Sequence, residues 1–253
     1  MKQFFYRHPG MASGFFLALT VLVCFIFTFP AEGITLKDLQ ISSAENDELI
    51  YYYETAGVVD YGIPQGFFGY TEITARTGTF GAWSPVLLIN FCVFGKLFGW
   101  SLTKAVFYNL ISFMIAVFGF GILARPNRTQ TLLLSLYLAS YTFLMYGVLS
   151  VVPEITCYSY AVLFMGFAYS AYKDNKIYKV IMMLVIASLL TLMRPYYAGL
   201  LVVAIYFAYK RSGKKSLIYS LPVSFAAFYG FFLYRSEFLC GQPYERECFA
   251  VYS

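Results

Sequence analysis

The chain has 253 residues, of which 60% are apolar, 21% aromatic and 12% charged, with a formal net charge of +5 and a mean hydropathy of +0.65. That balance excludes an ordinary soluble globular domain and is the composition of a polytopic membrane protein. With a single histidine, His8, neither a Ser-His-Asp triad within the membrane nor a multi-histidine metal centre can be assembled.

The first apolar run covers 14–29 and follows Lys2, Arg7 and His8. Its layout is also that of a signal peptide. The "FPAEG" after it is a poor cleavage site, however, and further spans come later, so an uncleaved first transmembrane helix with a cytoplasmic N-terminus is expected. Residues 31–84 are polar and acidic and are expected outside. Within them "SAENDELIYYYETAGVVDYG" (43–62) reads as a helix capped by Asn46 or Asp47 and ended by Gly57, with Asp47, Tyr51 and Glu54 on one face. On the residues alone, a helix cap is the stronger reading of Asp47.

Apolar runs then follow at 85–100, 102–124, 131–149, 155–172, 180–193, 196–209 and 217–234. If 85–100 does not cross, the N-terminus, "RPNR" (125–128), "KDNKIYK" (173–179) and "KRSGKK" (210–215) all fall on the cytoplasmic side, with Asp174 the one carboxylate among them. If it crosses, most basic clusters move outside. The run 85–100, which carries Lys96, therefore reads as an interfacial or re-entrant helix, and seven spans remain. The positive charge is then a loop bias and does not indicate a nucleic-acid surface.

"TLMRPYYAG" (191–199) breaks the sixth apolar run. The helix before it has about 14 apolar residues, roughly 21 Å, short of the hydrocarbon thickness. Pro195 removes a backbone donor, and Arg194 beside it is either a functional cation at a wet break or a side chain snorkelling to the outer headgroups. Pro153 and Glu154 mark a short outer turn. Cys24, Cys92 and Cys157 read as small hydrophobes. Cys240 and Cys248 flank "CGQPYEREC" and form a disulfide only if that loop faces an oxidising compartment. There is no phosphate-cradling glycine loop, no CxxC pair and no repeat.

One membrane helix, then an external loop opening with Asp47-Glu48, then Tyr51-Tyr52-Tyr53 with Ala56 and Gly57, resembles the start of the GT-C membrane glycosyltransferases. More narrowly, it is similar to the branch that holds protein O-mannosyltransferases, lipid A aminoarabinose transferases and lipopolysaccharide-core transferases. The likeness continues in order through "YGIPQGFFGYTE" (61–72), the proline-led "GTFGAWSPVLLINFCVFGKLFGWS" (78–101), "LSVVPEITCYSY" (149–160) and "LTLMRPYYAGLL". It departs at Ser84-Pro85, where the family has Pro-Pro, and the chain stops at Ser253, short of a typical member. The expectation is thus a single membrane domain over 1–253 with an external loop and juxtamembrane helices at 31–101, lacking the C-terminal part of the family fold.

The resemblance implies an all-α, GT-C-like enzyme of the cell membrane. It would take a sugar from a polyprenyl-phosphate carrier and pass it, with inversion, to a hydroxyl of a glycan, lipid or protein acceptor at the outer face. An inverting transfer needs a base at that hydroxyl and an anion-stabilising group at the departing phosphate. By the resemblance Asp47 is the base with Glu48 beside it. Arg194, Arg76 and Lys96 are donor-binding, and Glu154, Tyr51 and Glu54 orient substrate. No cofactor is implied. A divalent cation would find only part of a ligand set in Asp47 and Glu48. The rival readings are a non-catalytic remnant, a transporter and a polymerase or flippase of envelope polysaccharide assembly.

Overall fold

The computed structural model describes residues 8–41, 46–64, 78 and 85–238. Arg76, Cys240 and Cys248 lie outside the described residues. Ten α-helices occur among them: α1 Pro9–Glu32, α2 Asn46–Tyr61, α3 Pro85–Phe98, α4 Leu102–Ala124, α5 Arg128–Ser140, α6 Thr142–Leu149, α7 Glu154–Lys173, α8 Ile177–Met193, α9 Ala198–Ser212 and α10 Leu217–Phe238. No strand is present among the described residues. Short 3-10 turns at Pro195–Tyr197 and Gly213–Ser216 precede α9 and α10.

Among the described residues three stretches are long and apolar enough to cross a membrane: Pro9–Glu32, Leu102–Ala124 and Pro195–Leu233. The third is two helices, because Gly213, at φ 60° and ψ −149°, turns the chain between α9 and α10. Phe15, Phe27, Ile115, Val202, Ile218 and Phe225 stand exposed on the outside, an apolar coat that fits a helical membrane protein.

Local signals account for several boundaries. Ser101 caps α4, accepting from the Lys104 amide at 3.3 Å. Asn127 and Gln130 form a reciprocal capping box at the start of α5, with bonds of 2.9 and 3.0 Å. Gly33, at φ 65°, ends α1 in the left-handed conformation.

Three expected boundaries are corrected. Gly57 does not end α2: it is buried within the helix, and the chain turns only at Gly62, at φ 85°. Val59 lies against Gly95 of α3, so packing carries α2 past a residue that local propensity disfavours. Asn46 and Asp47 accordingly lie within the first helical turn. The run 131–149 is not one helix but breaks at Tyr141, φ −90° and ψ 75°. α5 buries Thr131 and Ser135, while α6 buries Leu144, Met145 and Val148. At about 100° per residue Ser135 and Leu144 would face opposite ways on a continuous helix, so the break lets both faces turn inward. Finally, α8 starts at Ile177 rather than 180. Lys179 is buried because its ammonium donates to Ser170 O at 3.1 Å, covering a carbonyl at the end of α7, and pairs with Asp174.

The core has two parts. Leu17, Val21, Phe113 and Val117 lie between α1, α4 and α6. Leu88, Phe164, Met183, Leu190 and Ala204 gather α3, α7 and α9 around α8. Side-chain bonds bring one set of helix ends together. Ser13 Oγ donates to Pro126 O at 3.0 Å, Lys173 Nζ to Ala124 O at 3.0 Å and Asn175 Nδ2 to Phe207 O at 2.9 Å, and Arg211 donates to Asn175 O. The basic segments at 125–128, 173–179 and 210–215 thus share one end of the bundle. Glu32, Glu48 and Glu154 belong to the other end, where Tyr146 reaches Glu32 and the α6–α7 turn meets α2.

Candidate functional site

At the acidic end, the break after α8 gives up helical geometry at Arg194, whose backbone is extended at φ −146° and ψ 117°. Pro195 then starts a 3-10 turn for which it has the right φ and no amide to satisfy. The Arg194 side chain turns inward and is only 6% exposed, which removes the snorkelling reading. Its Nη2 donates to Tyr51 Oη of α2 at 3.0 Å and forms an ion pair with Glu154 Oε1.

Glu154 is the first residue of α7, where the helix N-terminus favours a negative charge. Its second carboxylate oxygen, Oε2, is buried with no hydrogen-bond partner among the described residues. That oxygen keeps acceptor capacity beside the Arg194 cation, a feature that buried oxygens rarely retain without a reason.

α2 lays its polar face onto this junction. Tyr51 and Glu54 are each 2% exposed and Glu48 is 5% exposed. Glu48 Oε1 accepts from the Val151 amide at 3.2 Å, tying α2 to the α6–α7 turn. Burial pushes the Tyr51 phenol well above the ordinary tyrosine value. Arg194 pulls the other way, and the carboxylates Glu154 and Asp47 add to the rise. The phenol is therefore neutral, accepting from Arg194 while retaining its own proton to donate. Asp47 is exposed, one helical turn before Tyr51, at the rim of the cluster.

The sequence candidates divide on this geometry. Tyr51, Glu154 and Arg194 are brought into contact, Glu48 is held beside them through Val151, and Asp47 overlooks them from the surface. Glu54 is buried on the same helix, and its charge reaches Cys92 of α3. Burial pushes the Cys92 thiol up to about 11, and the Glu54 carboxylate adds to that rise. Lys96 is exposed and donates to Val59 O near the end of α2, so it clamps α2 to α3 and does not join the Arg194 cluster. Arg76 lies outside the described residues, and among these no group of three or more His, Cys, Asp or Glu side chains could hold a metal ion.

Two residues that sequence reasoning left out or passed over hold the platform. Trp100 Nε1 donates to Tyr52 O at 3.0 Å, and its ring packs against Phe91 at 5.3 Å, fixing α2 over α3. Asn109 is fully buried. Its amide donates to Ser150 O at 2.9 Å, with Gly147 O and Val148 O at 3.5 Å. These carbonyls stand at the end of α6, where Gly147 O also accepts from the Ser150 amide and hydroxyl, so Asn109 helps fix the turn that carries Val151 and Glu154. A lone amide in an apolar run signals such a bond, but its spacing cannot name the partner. Comparison with protein-family models, with curated proteins and with solved structures returned no match in any of the three.

Proposed function

We propose that this chain is a membrane glycosyltransferase that moves a sugar from a polyprenyl-phosphate carrier to an acceptor hydroxyl at the outer surface of the cell membrane, with inversion. The observation that carries the reading is the Tyr51–Arg194–Glu154 cluster. A buried guanidinium, held by a neutral phenol and one carboxylate, stands where an external helix meets a broken membrane helix, with an exposed carboxylate, Asp47, one turn away. Taking charges out of water is costly, and such groups at membrane depth usually serve a substrate path.

In the proposed reaction Asp47 accepts the proton of the acceptor hydroxyl as that oxygen attacks the anomeric carbon. The bond from that carbon to the phosphate oxygen breaks, and Arg194 stabilises the phosphate that departs. Glu154 is the ground-state counterion of Arg194 and yields to the phosphate on donor binding. Its Oε2 and the Tyr51 hydroxyl then orient sugar hydroxyls. Glu48 acts through the Val151 amide as a positioning residue.

The proposed topology has seven crossings, with α5 and α6 together forming one broken span and α2 and α3 lying at the outer surface. Two features support it: the basic segments share the end of the bundle opposite the cluster, which makes that end cytoplasmic by the positive-inside bias, and Phe91 and Phe94 of α3 meet Tyr108, near the start of α4, edge to face with ring centroids 5.1 and 5.3 Å apart.

The test is transfer from a radiolabelled polyprenyl-phosphate sugar by membranes that contain the full chain. Wild type is expected to consume the donor, while Asp47→Asn loses turnover but still binds it. Arg194→Gln is expected to lose donor binding. Undiminished turnover by Asp47→Asn rejects the base, and unchanged binding by Arg194→Gln rejects the phosphate site.

A further inference from the structure

At the basic end, α5 and α7 lean apart over α4 and leave a lateral groove of about 390 Å³. Phe120 and Ala124 of α4 floor it, Leu133 and Leu134 of α5 form one wall, and Met165 and Tyr169 of α7 form the other. It is distant from the Arg194 cluster. Tyr169 lies 15 residues along α7 from Glu154, about 22 Å at the helical rise. Leu133 and Met165 are 60% and 57% exposed, so the groove opens sideways onto the apolar surface of the bundle.

Its mouth is basic. The Lys173 ammonium lies 4.5 Å over the Tyr169 ring and donates to Ala124 O, so it sits on two lining residues at once. Arg125 and Arg128, both exposed, stand in and after the turn from α4 to α5. The carboxylate nearest in sequence, Asp174, is engaged by Lys176 and Lys179. Among the described residues a second copy of this chain brings one carboxylate to that level, Asp174, which its own lysines engage. An apolar slot open to hydrocarbon under a cationic rim matches one class of occupant by charge and by shape.

We propose that the groove binds an anionic phospholipid, with one acyl chain between Leu133 and Met165 and the phosphate against Lys173 and Arg128. The bound lipid fills the gap between α5, which packs on α1, and α7, which packs on α4. This site is independent of the transferase reading and uses none of its residues.

The experiment is native mass spectrometry of the full chain, purified in a neutral detergent and titrated with phosphatidylglycerol or with phosphatidylcholine of the same acyl chains. Wild type is expected to retain phosphatidylglycerol at a concentration on the order of tenfold lower than phosphatidylcholine. Leu133→Trp fills the groove from an exposed position and is expected to abolish that retention, as is Met165→Trp from the opposite wall, so a folding defect in one variant leaves the other decisive. Arg128→Gln combined with Lys173→Gln is expected to erase the preference between the two lipids. Equal retention of both lipids by wild type, undiminished retention by both tryptophan variants, or a photo-crosslink from position 133 to a second polypeptide would overturn the proposal.

Discussion

Gly121→Ala tests the seam on which the bundle is built. Where α1 crosses α4, a β-carbon on Gly121 would lie 2.3 Å from both Cα and N of Gly14. Carbon contacts are comfortable at about 3.5–4.0 Å, so the two helices would have to part by more than about 1 Å. The obstructing atoms are backbone, which cannot rotate aside. Parting the seam would loosen Leu17 and Val21 against Phe113 and Val117 and stretch the 3.0 Å bond from Ser13 to Pro126. Overpacking of this kind costs about 1–3 kcal/mol, and alanine's better helix propensity returns at most about 1 kcal/mol. The net expectation is a loss of about 1 kcal/mol, or roughly 2–4 °C in the unfolding midpoint for a chain of this size. Gly199→Ala is the control, because a β-carbon there meets nothing within 4 Å. Thermal unfolding in a mild detergent should separate the two variants, with Gly199→Ala at or slightly above wild type. Equal midpoints for Gly121→Ala and Gly199→Ala would refute the close crossing.

Four further outcomes are expected. Removing one partner of the pair, by Arg194→Gln or Glu154→Gln, should each cost about 1–3 kcal/mol, since Arg194 is buried but Glu154 is 29% exposed, and the double variant should cost less than the sum, as a double-mutant cycle would measure. Asn109→Leu takes from Ser150 O its 2.9 Å donor, while Gly147 O keeps the Ser150 amide and hydroxyl, and should cost about 1–3 kcal/mol in the same unfolding assay. Trp100→Phe retains most of the ring packing but loses the bond to Tyr52 O, for about 1 kcal/mol and faster amide exchange in α2. The Thr35 hydroxyl and amide both donate to Asp38 Oδ2 at 2.8 Å and hold its carboxyl below 3.8. A depressed folded pKa stabilises above the unfolded value, so ordering of this exposed turn should persist above pH 3.8 and fade as pH falls further, read by exchange at the Thr35 amide.

The elements legible in the sequence are those that local chemistry ends. α4 runs over 102–124 as expected, because Ser101 caps one end and Arg125, left-handed at φ 50°, stops the other just before Pro126. The break at Arg194-Pro195 was likewise written in a residue that cannot donate. The boundaries that were not legible are set by tertiary contact: α2 passes Gly57 because Val59 finds α3, and the chain breaks at Tyr141 because two buried faces must turn the same way. The site follows the same division. Spacing along one helix placed Tyr51 near Asp47, but it gave no means of deciding whether Arg194 faces headgroups or protein, since its partner Tyr51 is 143 residues away. Nor could it show Lys96 spent on the end of α2. Charge alone led to the expectation that the basic segments lie together, and the bonds from Ser13, Lys173 and Arg211 gather them at one end of the bundle.

The most direct test of the central claim is to follow the carrier rather than the sugar. The purified full chain, reconstituted with a polyprenyl-phosphate sugar and an acceptor extract, is assayed for free polyprenyl phosphate. The account predicts release that requires both acceptor and Asp47, and that falls to background in Asp47→Asn and in Arg194→Gln. No release from folded wild-type protein across the common donor sugars, or release that persists in both variants, would contradict it.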